Sequence, residues 1–340
     1  MKNATVIFFL LICNVTFADN VRLRTNGSSI NCDVVSWSKD GLRIKRNEQS
    51  SQEVLPWHNI IGVESNDAGI SFGPHLARGE MLWRAKSRLL RGDIALAAPL
   101  FQEVFMQLKN HDGPDAHLAA EGLLRCNLAF GKLDAAVAPW LCTVKQLQNK
   151  RTSQLSTLSP IINDTTFLCE HIPPVWNHET VTRSLSSLAI EGEVMMAFYQ
   201  VIQNPNSTDI QELPGPSFLQ QTFILMQPSH LKYANIKKET HALQDLLSWQ
   251  KAWFTYAEAI ALQKGDAKQK QQALLLFAEF ISVYGKEQPW LAGESLFLMS
   301  EAFANAGDFK LSENIHREFT RTVPYHPLLQ QLNRNSKRKE

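Results

Sequence analysis

Apolar residues recur along most of this chain at steps of three and four, and the breaks between these runs fall on glycine. Over 77–91 the pattern carries Met81, Leu82, Ala85, Leu89 and Leu90, and Gly92-Asp93 interrupts it. It resumes over 94–108 with Ala97, Leu100, Phe101, Val104 and Leu108. Spacing of this kind puts apolar side chains on one face of a helix. Similar pairs run over 116–130 and 133–147 around Gly131, and over 247–264 and 272–284 beyond Gly265-Asp266. The last pair, 290–324, bends at Gly307-Asp308. Leu296, Met299, Ser300 and Phe303 precede that bend, Phe309, Ser312, Ile315 and Phe319 follow it, and Pro324 closes the unit. Between the first two pairs, His111-Asp112-Gly113-Pro114 is an interruption, with Asp115 the expected N-cap of the next helix.

The pairs repeat in detail. Five residues past the turn glycine stands Ala97, Ala136 or Ser312, and Ala273 in the unit that carries three extra residues. Four residues further stands Phe101, Trp140 or Phe277, with His316 the exception. A small residue lets paired helices approach, and a bulky one fills the gap beside it. The turn glycines are 39 residues apart in the first two units (92 to 131) and 42 in the last two (265 to 307). This arrangement resembles the tetratricopeptide-repeat family, most closely over 296–324. Arg88 stands where that family usually places an aromatic, and the other three units lack its closing proline. The resemblance implies an array of antiparallel helix pairs whose first helices line a concave docking face for a protein or peptide.

Residues 19–72 follow a period of two instead. Strands are expected over 21–25, 30–37, 42–45, 54–63 and 70–72, with turns at Asn26-Gly27 and Lys39-Asp40-Gly41. Five short strands suit a small, highly bent barrel. Leu55-Pro56-Trp57 followed by Ile60-Ile61-Gly62-Val63 resembles the closing strand of the Sm-type small barrels found in some exported bacterial proteins. Trp57 lies between apolar strand residues without interleaved basic groups, which makes it a plug of the core and not a stacking platform for RNA. The expected fold is therefore mainly α, a tetratricopeptide-like array preceded by a small all-β barrel.

The domain plan follows from these patterns. Residues 1–18, with Lys2, an apolar run to Cys13 and small residues at Thr16 and Ala18, have the layout of a secretory signal peptide cut before Asp19. The barrel spans 19–72, two helical units 75–149, a proline-interrupted segment with a long helix at 181–202 occupies 150–240, two more units 241–326, and a basic tail 327–340. No later stretch is long and apolar enough to span a bilayer, so the expected address is periplasmic or secreted. The mature chain keeps Cys32, Cys126, Cys142 and Cys169, and apolar neighbours favour free thiols over bridges.

Composition adds little. The chain has 340 residues, 44% hydrophobic and 20% charged, with a net charge of +1, so nothing draws it toward nucleic acid or anionic membrane. There is no G-x-S-x-G elbow and no glycine-rich phosphate loop. Cys169-Glu170-His171 with His178-Glu179 has the residue types of a metal site but lacks regular ligand spacing. No catalytic, cofactor or metal residues are assigned. The expected role is a non-enzymatic scaffold for a protein or peptide partner; the alternative is an enzyme or ligand-binding protein with its pocket around 169–179. Residues six and ten before each turn glycine share one face. These are Lys86 with Leu82, Arg125 with Glu121, Ala259 with Thr255, and Glu301 with Phe297. Leu82, Lys86, Glu121, Arg125, Phe297 and Glu301 are the candidate partner-binding residues.

Overall fold

The computed structural model describes residues 19–24, 27–46, 51–65, 71–163, 167–173, 246–324, 326 and 328–329. The expected leader at 1–18, the helix at 181–202, the pair His178-Glu179 and the tail from 330 lie outside the described residues. The chain divides into two compact units between Trp83 and Arg84.

The first unit carries five antiparallel strands, β1 (Asp19–Leu23), β2 (Ser29–Ser38), β3 (Gly41–Arg46), β4 (Gln52–Leu55) and β5 (Ile60–Glu64). Alternation sends Val21, Cys32, Leu42 and Ile44 inward, where they meet Ile60, Phe72 and Trp57. Trp57 is fully buried, and its indole N–H donates to the Ser38 carbonyl at 2.8 Å. The expectation of a closed barrel is corrected. Strand order is β4-β3-β2-β1-β5, and β4 and β5 are edges with no pairing between them among the described residues. The reason is local: the stretch expected as one strand over 54–63 contains Pro56, which has no N–H to give a ladder. The chain leaves β4 there and makes a single 3₁₀ turn, Trp57–Asn59, before β5. Ser71 and Phe72, expected in a closing strand, stand outside any strand and lead into α1 (Gly73–Leu90). Trp57 stacks on His75 at 4.8 Å, and a Cβ on Gly79 would lie 2.3 Å from the Trp57 carbonyl oxygen, so α1 sits against the plug only because residue 79 has no side chain.

The second unit is helical: the end of α1, then α2 (Ile94–Leu108), α3 (Pro114–Ala129), α4 (Leu133–Gln148), α5 (Ser248–Gln263), α6 (Ala267–Tyr284), α7 (Pro289–Asn305) and α8 (Phe309–Thr322). Three helices end alike. Gly92, Gly131 and Gly307 have φ of +84°, +64° and +85°, a region open to glycine at little cost. In each case the glycine N–H and the next N–H reach back to carbonyls in the last helical turn, as with Gly131 to Leu128 and Lys132 to Asn127. Asp115 is not the N-cap of α3; Gly113 holds that position, Pro114 opens the helix, and Asp115 is buried in the first turn.

The small and bulky positions pack as their spacing requires. Ala97, Ala136 and Ala273 are fully buried, as are Phe101, Trp140 and Phe277. Ser312 of α8 meets Ser300 of α7, with hydroxyl oxygens 3.0 Å apart. The Phe101 ring lies where a Cβ on Gly122 would stand at 2.3 Å, so α2 and α3 approach through that glycine. Pro139 inside α4 removes the N–H that the Ala135 carbonyl would otherwise accept, and the Asn127 side chain donates to that carbonyl at 2.8 Å. A shared core joins Leu124, Trp140 and Val144 of α3 and α4 to Trp253, Tyr256 and Phe277 of α5 and α6. The connecting chain contributes Ile162, Leu168, Cys169 and Ile172 to that core. The four cysteines among the described residues are free, and burial pushes the Cys126 and Cys169 thiols up to about 12.

Beyond α8, His326 is buried, tilted over Trp290 at 4.1 Å and edge-on to Phe319 at 5.2 Å. Burial lowers its pKa from 6.5 to about 4, so the folded chain holds it neutral. The unfolded chain takes up the proton below about 6.5, so this group's stabilisation is complete above that pH and is lost as pH falls toward 4. The expected loss between pH 7 and pH 4.5 is about 2–3 kcal/mol. Urea midpoints at the two pH values should converge in His326→Phe relative to the wild type. An equal acid dependence in both chains would show that His326 is not the group responsible.

Candidate functional site

A cluster of polar side chains in the helical unit stands on one stripe of α3, at His117, Glu121 and Arg125, four residues apart each time. Glu121 and Arg125 are two of the sequence candidates, and the fold joins them as an ion pair. Arg125 donates through Nε at 3.1 Å and Nη2 at 2.8 Å to Glu121 Oε1, with the two side chains 12% and 6% exposed. The chain beyond α4 then crosses this stripe. Ser153 donates its hydroxyl to Glu121 Oε2 at 2.5 Å, and Arg125 Nη2 donates to the Ser159 carbonyl at 2.9 Å. Leu155 is buried in the same crossing segment. Residues 153–159 therefore occupy the face on which the sequence pattern places a partner.

Beneath the crossing lies a cavity of about 300 Å³. His117, Glu121 and Arg125 of α3, Thr143 and Leu147 of α4, and residues from 152 to 162 line it. His117 is fully buried and neither ring nitrogen has a hydrogen-bond partner. Its Nε2 stands 3.8 Å from Glu121 Oε2, beyond hydrogen-bond reach. Burial lowers the His117 pKa, opposed by Glu121 and assisted by Arg151, so the imidazole is neutral at neutral pH. Thr143 spends its hydroxyl on the Pro139 carbonyl one turn earlier. Arg125 and Ile161 also line a second cavity of about 250 Å³, which His171 and Trp290 border.

The other candidates are dispersed. Leu82 is fully buried. Lys86 is half-buried, and desolvation lowers its pKa. On α7, Phe297 is half-buried against the cluster of Leu296, Phe319 and Val323, while Glu301 is exposed. Ala259 is buried and Thr255 half-buried. Glu294 accepts the Tyr256 hydroxyl at 2.8 Å between α5 and α7, and burial raises its pKa.

Around 169–173 the alternative site is visible in part. Cys169 is buried in the shared core, and His171 Nδ1 lies 2.9 Å from the Glu287 carbonyl, with Nε2 3.3 Å from Glu170. Its other half, His178 and Glu179, lies outside the described residues. Among the described residues no three His, Cys, Asp or Glu side chains gather as metal ligands, and no helix is long and apolar enough to cross a membrane.

The sequence reading missed His117, Thr143 and Ser153. For His117 a signal existed: it is the next member of the stripe that carries Glu121 and Arg125. Ser153 had none, because a chain segment without periodicity brings it there. Comparisons with protein-family models, curated proteins and solved structures find no match to this chain.

Proposed function

We propose that this chain is an exported, non-enzymatic interaction scaffold, in which tetratricopeptide-like helix pairs dock a protein or peptide partner of the cell envelope. Residues 1–18 act as the secretory signal, and the first unit is a small Sm-like β module that remains open at one side. The observation that carries the reading is the repeated packing: the same small-then-bulky positions after the turn are buried in the first three pairs and half-buried in the last, and three of the four pairs bend through a left-handed glycine. Pairs of this kind bury one face on their neighbours and leave another for binding. With the α3 stripe covered by 153–159, the last pair offers a surface open among the described residues, with Glu301 exposed beside the half-buried ring of Phe297. A ring and a carboxylate side by side give a partner one anchor and one polar contact.

The test is affinity capture from an envelope extract, using the exported product, whose N-terminus should be Asp19. A protein held by the wild type should be retained at least tenfold less by Phe297→Ala and by Glu301→Lys. An unchanged set of captured proteins with both variants would remove the α7 surface from the proposal. A second reading, a ligand-binding role for the irregular middle, is favoured by the cavity under 152–162.

A further inference from the structure

We infer that the cavity between α3, α4 and residues 152–162 is a binding site for a small uncharged molecule with an apolar body and one hydroxyl or amide group, held by the His117 imidazole. This goes beyond the docking role and uses a different surface.

Size comes first. An apolar cavity of about 150 Å³ accepts benzene, and this one, at about 300 Å³, has room for a substituted ring. Its apolar walls come from Leu147, Leu158, Ile161 and Ile162. Charge comes next. Glu121 and Arg125 cancel each other at close range, and Glu121 already accepts from Arg125 and Ser153. An anion would face the Glu121 carboxylate, and a cation would face Arg125, so a neutral molecule has the smallest electrostatic penalty. Hydrogen bonding then selects the polar group. A neutral imidazole offers one N–H donor and one acceptor nitrogen, and in His117 both are buried and unpartnered. A hydroxyl or a primary amide can both donate and accept, so it can pair with one of these ring nitrogens in either tautomer. Leaving a buried polar atom unpaired is costly, so binding should discriminate strongly against the same body without its polar group.

Three probes of one shape separate the terms: p-cresol, toluene and 4-methylbenzoate, titrated into the full chain labelled with ¹⁵N in its histidine rings. p-Cresol should shift the His117 ring resonances and bind at least tenfold more tightly than either of the others. His117→Phe should abolish that advantage while leaving toluene binding intact. Ser156→Trp, placed at an exposed residue of the cavity wall, should block all three probes without disturbing the fold. Equal binding of p-cresol and toluene would overturn the role of His117, and tighter binding of 4-methylbenzoate would overturn the neutral-ligand assignment. Failure of p-cresol to bind, or its unchanged binding in Ser156→Trp, would mean that the cavity holds only solvent.

Discussion

Trp140→Ala should lower the stability of the helical unit by about 3–5 kcal/mol, the range for deleting a large aromatic side chain from a packed core. The residue is fully buried within the core that α3 to α7 share. Its indole N–H also donates to the Phe167 carbonyl at 3.1 Å, so the substitution removes both the filler of the core and a tie to the chain that crosses between helix pairs. For a unit of this size the loss should shift the thermal midpoint downward by roughly ten degrees. Leu275→Ala, at a side chain 71% exposed, should stay within about 0.5 kcal/mol of wild type. Comparable midpoints for the two variants would mean that Trp140 lies outside any common interior.

Arg125→Met should be nearly as damaging, at about 3–5 kcal/mol, for an electrostatic reason. It strands the Glu121 carboxylate, 6% exposed, with the Ser153 hydroxyl as its remaining donor. Breaking a buried pair costs far more than the pair contributes, because the surviving charge has lost its solvent. The double substitution Glu121→Leu with Arg125→Met should therefore be more stable than Arg125→Met alone, a non-additivity that urea denaturation of the four chains measures directly. A cost below about 1 kcal/mol for Arg125→Met would show that water reaches the carboxylate.

Much of the helical architecture was legible because its signals are local. Leu, Phe and Ala at helical spacing, stopped by Gly92, Gly131 and Gly307, placed α2 and α4 to within a residue. One local signal was overlooked. Asp266 and Gln269 form a reciprocal capping box that starts α6 at Ala267, six residues before the apolar run that opens at Ala273. The β unit was legible strand by strand, but closure was not. Whether β4 and β5 meet depends on the path around Pro56 and Trp57, which alternation does not encode. The ion pair of Glu121 and Arg125 could be read as two residues on one face. Its covering by 153–159 could not, because nothing periodic marks that segment and its partners lie about 30 residues away.

The hydrogen bonds made by the connecting segment bear on how the molecule comes apart. Phe167 is tied to Trp140 of α4, while the Glu170 carbonyl accepts from Gln288, 118 residues later, at the start of α7. Repeat arrays held only by nearest neighbours can unzip from an end, one unit at a time. Here a non-repeating strip clamps the early hairpins to the late ones, so the stretch from α3 to α7 should melt as one cooperative block rather than in steps. Transplanting a single hairpin into another array would carry away only half of what holds it.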